Sequence, residues 1–271
     1  MIRVVAMLLG LCTVALVLAW ALQEKLLFHP EPLPADHTFD LGADVHEVTI
    51  DVPGARLSAL HLRRPAPDAV VFYLHGNAGN LHNWFVHADQ YRTANVDLFM
   101  IDFRGYGKST GSIDDEAQLH ADVRAAWDSI DAQYAGVPRV IVGRSLGTAL
   151  AARLASDVEP EMTVLISPYR SIVAMADMQF PWVPSFVLRY PLRTEDDIVE
   201  IEGRVMIIHG ERDSLIPIAQ AEALVARKPD AELVRLPDAD HNDLQDFPLY
   251  WESLGKAISD AIATDAAAAQ R

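Results

Sequence analysis

The sequence predicts a doubly wound α/β domain with a mostly parallel central sheet and helices on both faces. Short, nearly continuous apolar runs recur along the chain, and segments with helical periodicity separate several of them. Apolar runs of this length are typical of strands that are buried on both faces of a parallel sheet. Because strands and helices alternate, we expect a reactive site at the carboxyl ends of the strands.

Two opening strands are expected at His46–Ile50 and Leu57–Leu62, where the second shows rough apolar alternation. The central strands are predicted at residues 69–74, 97–101, 139–143, 162–166, 204–209 and 231–236. The helices are predicted at Asp115–Tyr134, Leu146–Ala155, Ile218–Arg227 and Tyr250–Ala263. The α/β domain is therefore expected to cover residues 44–264, with a short cap at about 168–201 and a disordered tail over 265–271.

The bulk composition favours one domain and argues against some partners. Hydrophobic residues make up 51% of the 271 residues, which is enough for one sizeable core. The 38 acidic and 22 basic residues give a formal charge of −16, which argues against binding to nucleic acid. The single cysteine, Cys12, allows no intramolecular disulfide.

The N-terminal segment predicts a membrane anchor. Residues Val4 to Leu22 carry no charge, and a helix of this length spans roughly 28 Å, close to the thickness of the bilayer core. We therefore expect residues 1–27 to form a transmembrane helix and its junction, followed by a Pro-rich connector over 28–43. A cleaved signal peptide is the alternative, because Ala19-Trp20-Ala21 fits a cleavage site.

Under either interpretation of this segment, we expect the folded domain to lie outside the cytoplasm, in the periplasm if the source is bacterial. The small positive bias at Arg3 favours this orientation.

The motif Gly143-Arg144-Ser145-Leu146-Gly147 follows one apolar strand and opens a helical segment. A sharp strand-to-helix turn exposes its serine, and small residues on both sides prevent collisions within the turn. The motif alone is a loose pattern, and a structural Gly/Ser turn is the alternative. Its position between a strand and a helix favours Ser145 as a nucleophile.

Two main-chain N–H groups are candidates for an oxyanion hole. The N–H of Leu146 lies at the start of the helix that follows Ser145, where N–H groups have no partner within the helix. The second donor is expected in the Gly-rich loop after the strand at 69–74. We assign it to the N–H of Asn77, with Ala78 as the second choice.

A nucleophilic serine needs a histidine base and a carboxylate that orients it. Where a serine occupies this kind of turn, the acid and then the histidine follow it along the chain. Only two histidines, His209 and His241, follow Ser145. His209 ends a buried strand, whereas His241 lies in a loop after the last strand, so His241 is the predicted base. Asp213 is the predicted acid, and Glu211, Asp238 and Asp240 are the alternatives.

No metal or cofactor is expected for this chemistry. His75 and His82 flank the loop that carries Asn77, but no HExxH or Cys/His spacing accompanies them. Packing or hydrogen bonding of the loop is the expected role of these two histidines.

Several motifs together resemble one known family. They are LHGNAGN, DFRGYGKSTG, GRSLG, SPYRS, HGERDSLIP and the His241 loop, with LLFHP after the apolar N-terminal segment. The combination resembles the membrane-anchored α/β-hydrolase-domain proteins, which are similar to serine-aminopeptidase-like hydrolases. The resemblance covers essentially the whole chain and implies a serine hydrolase of esterase, thioesterase or lipid-hydrolase type with an α/β-hydrolase fold.

The cap region carries the remaining functional predictions. Apolar side chains in it are candidates for an acyl pocket, and packing against the sheet is their alternative role; they are Met178, Phe180, Trp182, Phe186 and Leu188. A small-molecule or lipid ester is therefore the expected substrate. A peptidase would need carboxylates to hold a substrate amine, for which Glu195, Asp196 and Asp197 are the candidates. A non-catalytic, membrane-anchored binding protein is the third alternative.

Overall fold

The computed structural model describes residues 2–268. Its strands are β1 His29–Pro30, β2 Val45–Val52, β3 Ala55–Leu62, β4 Ala69–Leu74, β5 Ala78–Gly79, β6 Val96–Ile101, β7 Arg139–Arg144, β8 Met162–Ile166, β9 Arg204–Gly210 and β10 Glu232–Leu236. Its α-helices are α1 Ile2–Ala21, α2 Gln23–Leu27, α3 Leu81–Trp84, α4 Ala88–Thr93, α5 Glu116–Asp131, α6 Gly147–Val158, α7 Ile172–Gln179, α8 Thr194–Asp197, α9 Ala219–Arg227 and α10 Pro248–Ala268.

Eight of these strands form one sheet in the order β10-β9-β8-β7-β4-β6-β3-β2. Strand β3 runs antiparallel to β2 and β6, and all other neighbours are parallel. The prediction of a mostly parallel central sheet with helices on both faces is confirmed. Because β4, β7 and β9 are parallel, the loops that follow them meet at one edge of the sheet.

The sheet separates two hydrophobic cores, and the alternation of side chains along a strand explains this. In β7, Ile141 packs into the core that contains Trp127 of α5, while its neighbours Val140 and Val142 pack into the core that contains Leu254 of α10. Successive side chains of a strand point to opposite faces, so a strand covered on both sides must be apolar throughout. This is the physical origin of the continuous apolar runs in the sequence.

The structure does not support the transmembrane helix predicted for Val4–Leu22. Helix α1 covers Ile2–Ala21, and α2 follows directly at Gln23. Among residues 2–268, no helix meets the combined length and hydropathy required of a membrane span.

The structure also describes the connector and the first residues of the predicted tail. Residues in the connector pack along the domain, since β1 pairs with β5 and Pro32 forms a bridge to Gly107. Helix α10 continues to Ala268, although a disordered tail was predicted from residue 265. Alanine has the highest helix propensity, so the Ala-rich end extends the helix. Residues 269–271 of the predicted tail lie outside the described residues.

Candidate active site

Ser145 occupies the sharp turn between β7 and α6, with a φ of +50°. A non-glycine residue rarely adopts this conformation, and it persists only where the surrounding structure enforces it. The two flanking glycines show how tightly the turn is packed. A Cβ on Gly143 would lie 2.5 Å from the carbonyl oxygen of Gly147, and a Cβ on Gly147 would lie 2.2 Å from that of Leu74. The spacing of the glycines is therefore required by the turn that presents the serine.

The structure brings Ser145, His241 and Asp213 into one hydrogen-bonded chain. The Nε2 atom of His241 lies 3.1 Å from Oγ of Ser145, and Nδ1 of His241 lies 2.8 Å from Oδ2 of Asp213. Since the Asp213 carboxylate only accepts hydrogen bonds, Nδ1 carries the proton and Nε2 is free to accept the serine proton. This is the geometry required for general-base activation of a serine.

The environment of Asp213 keeps its carboxylate ionised. Oδ1 accepts hydrogen bonds from the main-chain N–H groups of Leu215 at 3.0 Å and Ile216 at 2.7 Å. Burial by itself would raise the pKa of Asp213, but the hydrogen bonds from His241 and from the main chain outweigh burial and lower the pKa below its usual value. A stable negative charge therefore faces the imidazole.

The three alternative acids lie elsewhere in their loops. Asp240 accepts hydrogen bonds from the N–H of Ser214 at 2.7 Å and from its hydroxyl at 3.0 Å, so it ties the His241 loop to the Asp213 loop. Asp238 pairs with Arg212 at 2.5 Å, and Glu211 lies 3.6 Å from Arg235. The two ring nitrogens of His241 are bonded to Asp213 and Ser145, whereas the hydrogen bond that Asp240 accepts from His241 comes from its main-chain N–H.

The two predicted oxyanion donors lie on the same cavity as Ser145. Leu146 and Asn77 both line this cavity, and Leu146 is the N-cap of α6. Ala78, the second choice, belongs instead to β5 and pairs with His29. The loop passes close to the serine at Gly76, where an added Cβ would lie 3.6 Å from Cβ of Ser145 and 2.9 Å from the Trp84 ring. This placement favours Asn77 over Ala78.

Two further residues hold the triad, and sequence reasoning missed the role of both. Arg144 is buried, and its Nη2 donates a 2.6 Å hydrogen bond to the main-chain oxygen of His241. The Nε2 atom of His209 lies 2.8 Å from the main-chain oxygen of Ile216 and 3.4 Å from Oδ2 of Asp213. Burial lowers the pKa of His209, so the ring stays neutral behind the triad. The acceptors are main-chain atoms, which leave no signal in the sequence.

A cavity of about 600 Å³ opens beside Ser145. Of the five cap residues predicted to line an acyl pocket, Phe180, Trp182 and Leu188 line this cavity. Met178 and Phe186 do not. Met178 receives a hydrogen bond from the side chain of Gln220 at its sulfur, and Phe186 is 84% exposed to solvent.

The histidines near the oxyanion loop have structural contacts. Nδ1 of the buried His75 lies 2.6 Å from the carbonyl oxygen of Gly76, and its ring stacks on Trp84 at 5.8 Å. The ring of His82 contacts that of His37 at 5.3 Å. Among residues 2–268, no group of three or more His, Cys, Asp or Glu side chains is placed to hold a metal ion.

Known proteins are similar to this chain in sequence and in architecture. The family model described as serine aminopeptidase, S33, matches residues 65–194. Alpha/beta hydrolase domain-containing protein 17C of Xenopus tropicalis is 31% identical over 213 residues, which cover 76% of this chain and 67% of the relative. An uncharacterised protein of Mycobacterium tuberculosis is 30% identical over 235 residues, which cover 83% of this chain and 82% of the relative.

Among solved structures, an esterase from Pyrococcus furiosus superposes with a TM-score of 0.69 at 22% identity, covering 87% of this chain and 98% of the esterase. The chain therefore belongs to the α/β-hydrolase superfamily and is a hydrolase.

Proposed function

We propose that this protein is a serine hydrolase that cleaves carboxylic esters or thioesters through an acyl-Ser145 intermediate. The proposed nucleophile is Ser145, the base is His241, and the acid that orients the base is Asp213. The observation that carries the proposal is the hydrogen-bonded chain from Asp213 through His241 to Ser145, at 2.8 Å and 3.1 Å, on the edge of a cavity.

In the proposed reaction, Nε2 of His241 takes the proton from Ser145 while Oγ attacks the substrate carbonyl carbon. The carbonyl oxygen becomes an oxyanion, for which the N–H groups of Leu146 and Asn77 are the donors. The intermediate collapses, and His241 gives its proton to the departing alcohol or thiol. Water then attacks the acyl-Ser145 ester with His241 again as the base. The carboxylic acid leaves, and Ser145 regains its proton.

The lining of the cavity supports an acyl chain as the substrate group. Apart from Ser145, the polar side chains that line it are the amides of Gln23, Asn77 and Gln179 and the hydroxyl of Tyr169, and the rest of the lining is apolar or aromatic. Lys, Arg, Asp and Glu are absent from this lining. An apolar cavity of this size with few polar groups suits an apolar ligand. We propose that the acyl chain occupies this cavity.

The peptidase alternative has less support. A substrate α-amine would need a carboxylate near the reacting carbonyl. The three candidate carboxylates instead contact arginines: Glu195 lies 2.7 Å from Arg170, and the other two lie 3.5 Å and 3.7 Å from their arginines. These contacts and the apolar cavity favour ester substrates over peptides.

The test is a set of p-nitrophenyl esters from acetate to dodecanoate, assayed beside aminoacyl p-nitroanilides. We expect measurable kcat/KM on the esters and at least 100-fold lower values on the amides. The Ser145→Ala variant, tested on the same substrates, measures the background. Faster cleavage of aminoacyl amides than of every ester would refute the proposal and support the peptidase alternative.

A further inference from the structure

Residues that precede the α/β domain form one side of the cavity beside Ser145. They belong to the end of α1, to α2 and to the residue after it; we call them the N-terminal wall, and they are Ala19, Gln23, Leu26, Leu27 and Phe28. The N–H groups of Leu22 and Leu26 donate to the carbonyl oxygens of Leu18 and Leu22, so the helical turns continue from α1 into α2. Positions 19, 23 and 27 are spaced by four residues and therefore lie along one face of these turns. The cavity therefore contains side chains that lie more than 100 residues before the cap in the sequence.

The wall is fastened to the cap by hydrogen bonds. The side chain of Gln23 is 5% exposed; its Nε2 donates to the carbonyl oxygen of Val187 at 2.7 Å, and its Oε1 accepts from the N–H of Arg189 at 2.7 Å. The next residue, Glu24, accepts a hydrogen bond from the hydroxyl of Tyr190 at 2.9 Å and forms an ion pair with the Arg189 guanidinium. A buried amide with both ends bonded to cap main chain fixes the distance between the cap and α2.

The other end of the wall contacts the oxyanion loop. Nδ2 of Asn77 donates to the carbonyl oxygen of Leu27, and Oδ1 of Asn77 accepts from the N–H of His29 at 3.2 Å. The short ladder between β1 and β5 continues this contact. The residue whose N–H is the proposed oxyanion donor is thus held through its side chain by the segment that also lines the cavity.

We infer that the N-terminal wall is part of the substrate site and sets the length of acyl chain that the cavity accepts. This inference rests on the proposed function for its substrate class. Leu27 contacts the loop beside Ser145, and each step of four residues back along a helix moves about 6 Å away from it. Ala19 is therefore the wall position farthest from the reacting atoms, where the distal end of a long acyl chain would lie.

The experiment enlarges this distal position in the full chain. Ala19→Phe places a ring in the cavity, while the matched control Ala21→Phe adds the same ring two residues on, at an exposed position outside the cavity lining. We expect Ala19→Phe to lower the ratio of kcat/KM for the dodecanoate ester to kcat/KM for the butyrate ester at least tenfold relative to wild type. The control should keep the wild-type chain-length profile. Identical profiles for the two variants would overturn the inference.

A second variant tests the attachment of the wall to the cap. Gln23→Leu keeps a side chain of similar size but removes both hydrogen bonds. We expect the ratio of KM for the dodecanoate ester to KM for the butyrate ester to rise at least fivefold relative to wild type. Lys25→Ala is the control on the same helix, because Lys25 is exposed and outside the cavity lining. A ratio that is unchanged in Gln23→Leu would contradict the inference.

A binding measurement separates failure of this inference from failure of the proposed function. Displacement of a fluorescent long-chain fatty acid requires the cavity but no catalysis. Ala19→Phe should weaken binding of the fatty acid at least tenfold, and Ala21→Phe should not. A wild-type protein that cleaves no ester would refute the proposed function, whereas equal fatty-acid affinities in the two variants would refute the role of the wall.

Discussion

Replacing Asp213 with Asn tests the proposed acid in atomic detail. Oδ1 of Asp213 is held by the N–H groups of Leu215 and Ile216 at 3.0 Å and 2.7 Å, while Oδ2 faces Nδ1 of His241 at 2.8 Å. An asparagine that keeps its oxygen on the two N–H groups must point its amide nitrogen at Nδ1. Nδ1 then becomes an acceptor, and the ring proton moves to Nε2, facing Ser145.

In that tautomer the imidazole cannot accept the serine proton, so the base is lost while the fold is kept. We expect kcat to fall by about 10⁴, the loss found for the corresponding change in a serine protease, which corresponds to about 5.5 kcal/mol of activation free energy. KM should change little because Asp213 does not line the cavity beside Ser145. The assay is steady-state hydrolysis of p-nitrophenyl butyrate, with thermal unfolding to confirm that the variant is folded.

The matched control is Asp240→Asn. Asp240 accepts hydrogen bonds from Ser214 and from the N–H of His241, and an asparagine oxygen can keep an acceptor there. Asp240 is half-buried, and its substitution removes a charge but keeps the acceptor, so kcat should fall by less than about tenfold. A folded Asp213→Asn enzyme within tenfold of wild-type kcat, or a more severe loss in Asp240→Asn, would refute the assignment.

Three further predictions concern packing, pH and positioning. Gly147→Ala should yield no folded protein, because its Cβ would lie 2.2 Å from a main-chain oxygen. In the control variant Gly255→Ala, the added Cβ has no atom within 4 Å, and urea titrations should show a free energy of unfolding that is higher by about 0.5–1 kcal/mol. Burial lowers the pKa of His61 in the folded protein to about 4, whereas the pKa in the unfolded chain is about 6.5. Above pH 6.5 the ring is neutral in both states and the stability is complete. As the pH falls from 6.5 towards 4, the unfolded chain takes up a proton that the folded protein does not, so the free energy of unfolding decreases. Between pH 7 and 4.5 this residue should remove on the order of 2–3 kcal/mol, a loss that is absent in His61→Gln; equal pH slopes for both proteins would show that the reasoning fails. Arg144→Met removes the hydrogen bond to the main-chain oxygen of His241, so kcat should fall about 10- to 100-fold while KM stays within about twofold. An unchanged kcat would exclude a positioning role for Arg144.

The sequence predicts those parts of the site in which a reactive side chain follows the end of a predicted strand. Ser145 lies between a strand and a helix, and Asp213 and His241 follow the last two strands of the parallel sheet. Parallel strands bring their carboxyl ends to one edge, so residues distant in sequence must meet there. The sequence therefore predicts the geometry that the structure shows for these three side chains, together with the central sheet.

The part of the cap that follows α7, which ends at Gln179, could not be predicted in the same way because it contains only short helical turns. Whether Phe180 faces the cavity and Phe186 faces solvent depends on contacts with the N-terminal helices, such as the bond between Gln23 and Val187 across 164 residues. The hydropathy of the N-terminal segment predicts a membrane span. Hydropathy contains no information about the cavity that Ala19 and its neighbours line.

Covalent labelling of the serine tests the central claim most directly. The full-length protein is treated with an alkyl fluorophosphonate, and the intact mass and the labelled peptide are measured by mass spectrometry. We predict one adduct on wild-type protein, located on Ser145, with hydrolytic activity lost in proportion to labelling. The Ser145→Ala variant should fold and should show neither adduct nor ester hydrolysis. Labelling of the folded variant at the wild-type rate, or ester hydrolysis that survives in it, would contradict Ser145 as the nucleophile.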